Sequence, residues 1–436
     1  MIERPNIIQI TTHDSGRHFG CYGHSTLQTP IIDDLAADGV KFTNYFCTVP
    51  ICSASRACQL TGLYPQSNGL LDLTPFGWRI KDDVQHMSRV LKTAGYHTLL
   101  FGIQHEVLKD ELDRLAFDSM DELHGIASVT AVETVNFLRK EAKSHQPFYA
   151  QIGFIETHTP FDRGGTEPDS EKDVAIPPYL AVTDSSREAM AGYQGSIRKV
   201  DSAVGMILDA LRESGLEDNT LLVFTTDHGI EMPRSKWFLY DPGIGIGMIM
   251  RYPQGGLVGG KECDLLMSNV DYLPTILELA QLDIPKRIEG RSFAGELRKD
   301  NPSPVREAIF GMYQKNQTRY VRTNQFKLIR HFDAATDFHE VPVHIEDVLN
   351  KRVIKLIELF DLDADPNEFN NLADQPEHAD TQSQLDRMLW EWMESVNDPL
   401  LSGPMSTPSY EAAHKDYVNW KGVKAEVEPN APADPP

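Results

Sequence analysis

The chain has few positive charges for its length. Its 436 residues contain 41 Lys and Arg against 64 Asp and Glu, which gives a formal net charge of −23 and a pI near 5.0. Nucleic acids and acidic membrane surfaces bind basic faces, so this balance argues against both as partners. Any anionic substrate would have to be held by a local group of cations.

Cysteines and long apolar runs are also scarce. The five cysteines form an odd and sparse set, typical of free thiols in a reducing compartment rather than of a disulfide framework. No apolar run approaches the roughly 20 residues that span a bilayer, and the first apolar run begins too early to leave room for an export signal. We therefore expect a cytoplasmic protein without a membrane partner.

What the sequence does contain is an alternation of short apolar runs with longer amphipathic stretches. This pattern predicts an α/β architecture in which parallel strands are joined by helices. The predicted strands cover residues 7–11, 98–102, 148–154 and 220–225. The predicted helices cover residues 31–38, 84–94, 129–144, 187–214 and 269–281.

The pattern changes near residue 301, where short strand candidates at 308–313, 319–322 and 326–330 precede a helix at 382–394. The chain is long for a single domain. We predict a large domain over residues 1–300 and a smaller domain with an antiparallel sheet over 301–415. An acidic, proline-rich tail over 416–436 is predicted to be disordered.

The ends of the four predicted strands are alike, because each is followed by a histidine and two of them also by an aspartate. The residues concerned are His13, Asp14, His105, His158, Asp227 and His228. One such histidine is usually structural, but ligands of parallel sheets bind beyond the carboxyl ends of the strands. Four similar ends therefore predict one shared site at an edge of the sheet.

Asp14, Asp227 and His228 are suited to hold one divalent cation, with His13 as a further ligand. Carboxylates alone would favour calcium or magnesium, whereas imidazole shifts the preference toward manganese, zinc or iron. The identity of the metal therefore stays open. The structural alternative for the two Asp-containing ends is capping of helix N-termini.

A candidate reactive group lies at Cys52, one helical turn before Arg56 in a segment that ends at a glycine. The arginine fork matches a tetrahedral oxyanion, and Lys236, in the loop after the fourth strand, would add a point charge. Lys236 could equally be a solvated surface charge.

Together these motifs resemble the sulfatase family of the alkaline-phosphatase superfamily over about residues 5–400. Besides the cysteine motif, matching segments lie at residues 20–23, 61–65, 226–229, 271–275 and 358–362. Loops at 239–243, 346–350 and 390–392 are most similar to the heparan N-sulfatases, or sulfamidases. The implied fold is an alkaline-phosphatase-like sandwich with a large, mainly parallel sheet flanked by helices, plus a smaller C-terminal α+β domain.

The resemblance also implies a chemistry. A maturase would convert Cys52 to formylglycine, which would share one divalent metal ion with four other residues. These ligands are His13, Asp14, Asp227 and His228. The metal is calcium by resemblance to the family, whereas the histidine ligands favour manganese or another transition metal.

Four further residues match catalytic positions of the family. Arg56 would hold the nucleophilic hydroxyl and Lys236 the sulfate oxygens. His158 would protonate the leaving group and His105 would accept a proton from the second hydroxyl. The implied substrate is a small anionic sulfated compound, and the implied assembly is a homodimer.

Three residues depart from the family pattern. Ala54 replaces a proline that one class of maturase prefers, and His13 replaces the first of two aspartates. Ile103 replaces a lysine that contacts the sulfate, so the anion pocket has one cation fewer. Candidates for a replacement cation are Arg17, Arg79 and Arg163.

Two alternative functions fit the same residues. Phosphonate monoester and phosphodiester hydrolases related to the sulfatases share the fold, the modified cysteine and the Asp-His pair, and the missing lysine keeps this alternative open. A binding or scaffold protein that kept the fold and lost the chemistry would also be compatible with the changes at His13, Ala54 and Ile103.

Overall fold

The computed structural model describes residues 4–121, 125–141, 146–299, 301–315, 317–332 and 356–427. The strands are β1 (Asn6–Thr12), β2 (Val40–Phe42), β3 (Tyr45–Phe46), β4 (His97–Gly102), β5 (Ser119–Asp121), β6 (Phe148–Gly153), β7 (Thr220–Thr226), β8 (Met248–Arg251), β9 (Lys261–Cys263), β10 (Met267–Ser268), β11 (Ile309–Tyr313), β12 (Thr318–Arg322), β13 (Phe326–His331) and β14 (Ile357–Asp361). The helices are α1 (Pro30–Asp38), α2 (Cys52–Thr61), α3 (Pro65–Asn68), α4 (Met87–Thr93), α5 (Ala127–Glu141), α6 (Asp184–Glu213), α7 (Asp241–Ile244), α8 (Tyr272–Leu279), α9 (Ala379–Ser395) and α10 (Pro408–Val427).

The four strands predicted from the sequence lie side by side in the central sheet, in the order β4-β6-β1-β7. The full order of this eight-stranded sheet is β5-β4-β6-β1-β7-β8-β2-β9. The four strands are parallel, and Thr12 at the end of β1 lies opposite Thr226 at the end of β7. The predicted α/β class and the mainly parallel sheet are confirmed. The reversed strand β8, antiparallel to both β7 and β2, was not predicted.

Both faces of the central sheet are covered. Ile7 belongs to one apolar cluster, whereas Ile8 and Ile10 belong to another that includes Ile197 and Val204 of α6. Neighbouring residues of a strand point to opposite faces, so this division places one core on each side of the sheet. Strands buried on both faces read as continuous apolar runs, which is why the sequence reveals them.

The C-terminal sheet has the order β11-β12-β13-β14 and is antiparallel throughout, as the sequence predicts. Helix α9 packs Leu385, Leu389 and Met393 into the cluster that contains Val321 of β12. These helix residues are four apart, the spacing that places side chains on one helix face.

Some segments differ from the predictions. Helix α4 begins only at Met87, because the side chain of His86 accepts from the N–H of Ser88 and caps the helix. Residues 416–427, where the sequence predicts a disordered tail, belong to α10 instead. Residues 428–436 and the loop at 346–350 lie outside the described residues. The domain boundaries at 300 and 415 stay predictions.

No helix within the described ranges is both long enough and apolar enough to cross a membrane.

Candidate active site

The ends of β1 and β7 bring two of the acidic strand ends together. The backbone N–H of Asp14 donates to Oδ1 of Asp227 over 2.9 Å, and the N–H of His228 donates to the same oxygen over 2.9 Å. Asp14 has a φ of 43°, in the left-handed region that residues other than glycine seldom adopt. The shared acceptor therefore holds this turn and fixes both carboxylates at one point of the sheet edge.

The imidazoles of His13 and His228 present nitrogen atoms to the same point. His228 donates from Nδ1 to the carbonyl of Gly229 over 2.9 Å, which directs Nε2 toward Asp14, 3.2 Å from its Oδ1. Nδ1 of His13 lies 3.2 Å from Oδ2 of Asp227, yet neither ring nitrogen of His13 makes a hydrogen bond to the described residues. Burial lowers the pKa of His13 well below its usual value, so the ring is neutral.

Helix α2 brings Cys52 to this point. Cys52 is the first helical residue, and its Sγ lies 3.2 Å from Nε2 of His228 and 3.7 Å from Oδ1 of Asp14. The hydroxyl of Ser55 donates to the carbonyl of Asp227 over 2.5 Å, which holds the helix against the end of β7. Burial and the nearby Asp14 raise the pKa of the Cys52 thiol well above its usual value, so the unmodified side chain is a weak nucleophile.

These side chains form a donor set that fits a divalent cation. His13, Asp14, Cys52 and Asp227 each offer one ligand atom, and the four atoms lie within 4.8 Å of one another. Nε2 of His228 lies beside them, 3.7 Å from Oδ1 of Asp227. Buried polar atoms are normally hydrogen-bonded, so the unpartnered nitrogens of His13 favour a bound ion.

Arg56 contacts the same carboxylate from the second turn of α2. Its Nε donates to Oδ2 of Asp227 over 3.0 Å. Burial alone would raise the pKa of Asp227, but His228 and Arg56 hold it well below its usual range. Nη2 of Arg56 is buried and makes no hydrogen bond within the part of the chain that the structure describes, so it is available to a bound oxygen atom.

Lys236 lies on the other side of Asp14 and is buried. Its Nζ is 2.7 Å from Oδ2 of Asp14 and 3.1 Å from Oε2 of Glu231. The hydroxyl of Thr159 also donates to Oε2 of Glu231, over 2.5 Å. Burial alone would lower the pKa of Lys236, but the carboxylates of Asp14 and Glu231 raise it, so the ammonium stays charged.

Glu231 was not predicted as a site residue. It lies in the loop that also carries Lys236, three residues after His228. That short distance along the chain was the signal that could have found it. Glu231 links the end of β7 to the loop after β6 through Thr159, and it gives the ammonium a second carboxylate partner.

His105 and His158 complete the cluster. The rings of His105 and His13 have centroids 4.5 Å apart, and burial and the nearby Arg56 lower the pKa of His105 to about 3. His158 donates from Nδ1 to the carbonyl of Thr159 over 2.7 Å, so its Nε2 carries the free lone pair. This Nε2 lies 4.0 Å from Oδ2 of Asp14, and burial and Lys236 lower the pKa of His158.

The three arginines considered as replacement cations differ in position. Arg79 forms exposed ion pairs, and Arg17 donates to a backbone carbonyl of β3 over 2.7 Å. Arg163 donates over 2.9 Å to the carbonyl of Thr159, which also accepts from His158. Of the three, Arg163 is the one that shares a hydrogen-bond acceptor with a residue of the cluster.

Four chemical features are combined at one edge of the sheet. It has a buried thiol at a helix start, a donor set for a cation, two buried positive charges and two neutral histidines. Such a set can bind a tetrahedral anion and transfer protons to and from the atoms around it.

Two protein-family profiles match the chain. The profile described as Sulfatase matches residues 5–282, and the profile described as N-sulphoglucosamine sulphohydrolase, C-terminal, matches residues 232–395. An ulvan-active sulfatase of Formosa agariphila is 27% identical in sequence, and the alignment covers 91% of this chain and 76% of the relative. The human N-sulphoglucosamine sulphohydrolase is 25% identical, with 92% of each chain covered.

Solved structures share the fold. One, determined in complex with its substrate D-glucosamine-2-N,6-O-disulfate, has a TM-score of 0.72 at 21% identity and covers 91% of this chain and 98% of its own. The phosphonate monoester hydrolase of Agrobacterium radiobacter has a TM-score of 0.70 at 19% identity, and the superposition covers 90% of this chain and 96% of that structure. At these identities the similarity shows the fold alone.

Proposed function

The chain belongs to the sulfatase family of sulfuric ester hydrolases, and we propose that it hydrolyses a sulfate ester or an N-sulfate of a small or saccharide substrate, releasing inorganic sulfate. The observation that carries this proposal is the position of Cys52, whose Sγ lies 3.2 Å from Nε2 of His228 and 3.7 Å from Oδ1 of Asp14. The residue that the family converts to formylglycine is thus adjacent to the donor set for a cation. Burial and the nearby Asp14 raise the pKa of this thiol, so the unmodified side chain would be a poor nucleophile.

Two groups would complete the site. Formylglycine at position 52 would supply a hydrated aldehyde, one hydroxyl of which attacks sulfur while the other later expels the sulfate. A divalent cation would acidify the attacking hydroxyl and neutralise the sulfate charge. The residues that would hold the cation are His13, Asp14, Asp227 and His228, together with the modified residue 52.

The positive side chains would bind the reacting group. The free Nη2 of Arg56 would hold the nucleophilic hydroxyl, because its Nε is already fixed on Asp227. The buried ammonium of Lys236 would bind the sulfate oxygens and stabilise the charge that develops on them.

The two histidines would move protons. His158 would protonate the departing amine or alcohol from Nε2, since Nδ1 is occupied by the carbonyl of Thr159. Lys236 lowers the pKa of His158 in the free protein. A bound sulfate would oppose this effect. His105, neutral because of its low pKa, would accept the proton of the second hydroxyl.

The imidazole donors support a transition metal such as manganese rather than the calcium of the family. His13 brings a neutral nitrogen where the family has a carboxylate, and the ring nitrogens of His13 and Nε2 of His228 are available as ligands. Neutral nitrogen ligands favour first-row transition metals, whereas calcium prefers oxygen.

A phosphonate monoester or phosphodiester hydrolase is the second candidate. Ile103 takes the place of the lysine that contacts sulfate, and the fold also matches a phosphonate monoester hydrolase at a TM-score of 0.70. The buried charges of Arg56 and Lys236 would bind a phosphonate as well as a sulfate. A binding protein without activity is less well supported, because the cation donors and both histidines are all retained at one point.

The proposal is tested in two steps on the full-length protein. Mass spectrometry of the peptide that contains Cys52 should find the aldehyde rather than the thiol, despite Ala54. Hydrolysis of aryl sulfate, sulfamate and phosphonate monoester substrates, measured as release of sulfate or of phosphonate, should then favour the sulfur compounds and disappear in Cys52→Ala, whereas Cys21→Ser serves as the matched control. An intact thiol in active protein would overturn the formylglycine mechanism, and a preference for phosphorus would select the second candidate.

The homodimer implied by the resemblance stays part of the proposal. Light scattering coupled to size exclusion measures it directly.

A further inference from the structure

Trp237 occupies an unusual position for a large aromatic residue. It follows Lys236 directly in the chain, and 37% of its surface is exposed. Its φ is 72°, in the left-handed region that is unfavourable for a bulky side chain. Its N–H donates to the carbonyl of Pro50 over 3.0 Å, two residues before Cys52, which fixes the residue in this conformation.

The indole is only partly buried. Trp237 belongs to none of the apolar clusters that the described residues form. Other exposed aromatic residues, such as Phe76 and Phe369, are also outside these clusters, so exposure alone does not distinguish Trp237. What distinguishes Trp237 is a left-handed backbone conformation directly beside Lys236, and such strain next to a candidate site is better explained by contact with a ligand.

The indole is also close to the reaction centre. Nζ of Lys236 lies over the ring at 5.2 Å from its centroid, and the same Nζ lies 2.7 Å from Oδ2 of Asp14. One ammonium group therefore separates the indole from the carboxylate of the cation site. A sulfate bound by Lys236 would therefore place its organic part close to this ring.

The loop that carries the indole is fixed at both sides. The N–H of Lys236 donates to the carbonyl of Ile230 over 3.0 Å. The side chain of Arg234 donates to the carbonyl of Glu368 over 2.9 Å and lies 4.0 Å from the centroid of the Tyr240 ring. The backbone that carries the ring is therefore fixed before a ligand binds, which lowers the entropic cost of binding.

We propose that Trp237 is a stacking platform for a ring in the leaving group, so that the site selects sulfates carried on a sugar or aryl ring over acyclic alkyl sulfates. This inference rests on the proposed function, because it assumes that the sulfate group is bound at Lys236. Aromatic faces bind the apolar faces of sugar and aryl rings, and such contacts with a preformed site contribute to affinity. An acyclic alkyl chain offers no flat face of comparable area.

The first test is kinetic. Trp237→Ala should raise KM for glucosamine N-sulfate and 4-nitrophenyl sulfate by about 5- to 10-fold, the range expected for one lost aromatic contact. The value of kcat should change by less than about twofold, and KM for ethyl sulfate should not change, because the alkyl group does not stack. Trp237→Phe should recover most of the loss. Trp420→Ala, which removes another exposed tryptophan, is the matched control.

The second test separates this inference from the proposed function. Calorimetric titration of 4-nitrophenyl sulfate and ethyl sulfate into Cys52→Ala and Cys52→Ala/Trp237→Ala measures binding without turnover. The aryl sulfate should bind about 5- to 10-fold more weakly to the second protein, with no change for ethyl sulfate. Equal weakening of both ligands, or no weakening of either, would overturn the platform, even if the wild-type protein releases sulfate. Binding of the aryl sulfate that depends on Trp237, without sulfate release by the wild-type protein, would refute only the proposed function.

Discussion

Arg56 donates from Nε to Oδ2 of Asp227 over 3.0 Å, and both side chains are buried. This contact joins the helix that begins at Cys52 to Asp227, which follows β7 and is one of the proposed cation ligands. The other oxygen of Asp227 accepts two backbone N–H groups, so the carboxylate is fixed from both sides. The position of Cys52 and the charge balance of the site thus both depend on the ion pair between Arg56 and Asp227.

Replacing Arg56 should therefore impair both activity and stability. Arg56→Lys keeps the charge but cannot reproduce the planar fork, and we expect kcat to fall by about 100-fold or more. Arg56→Ala should lower the free energy of unfolding by about 3 kcal/mol or more, because it leaves Asp227 buried without its partner. Steady-state kinetics and urea unfolding measure the two effects.

Arg79→Ala is the matched control for this substitution. Arg79 forms exposed ion pairs with Asp82 and Glu111, and such pairs contribute only about 0–1 kcal/mol. Wild-type activity in Arg56→Lys would contradict the role assigned to the guanidinium.

His13→Asp should change the metal preference of the site. The substitution restores the carboxylate of the family and removes a neutral nitrogen donor whose ring atoms have no hydrogen-bond partner among the described residues. We expect the ratio of the calcium to the manganese dissociation constant to fall by about tenfold or more. Calorimetric titration of chelator-treated protein gives both constants, and electron paramagnetic resonance of bound Mn²⁺ reports nitrogen coordination without reference to activity.

The exposed His414 provides the control, since His414→Asp should leave both dissociation constants unchanged. Tighter calcium than manganese binding in the wild-type protein would contradict the role of the imidazoles.

His158→Ala should make the rate depend more steeply on the leaving group. Nε2 of His158 lies 4.0 Å from Oδ2 of Asp14, at the side of the site where Lys236 also lies. 4-Nitrophenolate leaves without protonation, so kcat for 4-nitrophenyl sulfate should fall by about tenfold or less. An amine or alkoxide leaving group needs the proton, so kcat for the corresponding sulfamate or alkyl sulfate should fall by about 100-fold or more. Equal losses across a series of leaving groups would show that His158 is not the acid.

The sequence predicted the part of the site that follows from strand ends. Strands β1, β4, β6 and β7 are apolar on both faces and therefore visible as continuous runs, and their carboxyl ends share one edge by the geometry of parallel sheets. Histidines and aspartates at those ends had to meet. The position of Cys52 was predicted by a different route, through the resemblance of its motif.

Glu231 and Trp237 could not be predicted in the same way. Both lie in a loop whose path is set by bonds distant along the chain, such as that from Trp237 to Pro50 and that from Arg234 to Glu368. The short distance from His228 along the chain marks Glu231 as a candidate, but local sequence carries no signal for the distant contacts that position the loop. The reversed strand β8 was missed for a related reason, since a run of four residues is too short to show a period or a direction.

Stability should fall in mild acid because of His18, a buried histidine that does not belong to the cation donor set. Its Nε2 is 3.0 Å from the hydroxyl of Tyr179 and its ring stacks on His24 with centroids 4.5 Å apart. Burial and the neighbouring His24 lower the pKa of His18 to about 3, whereas in the unfolded chain it is about 6.5. Between these values the unfolded chain binds more protons, so stability is full above about pH 6.5 and is lost as the pH falls.

The expected loss from this residue between pH 7.5 and pH 5 is about 2 kcal/mol. His18→Gln should lower stability at pH 7.5 through lost packing, yet it should flatten the decline toward pH 5, because glutamine does not titrate. Urea unfolding at several pH values measures the slope, and His414→Gln controls for loss of an exposed histidine. A slope in His18→Gln as steep as that of the wild-type protein would assign the acid sensitivity to other groups, of which His24 is the first to test, since burial lowers its pKa as well.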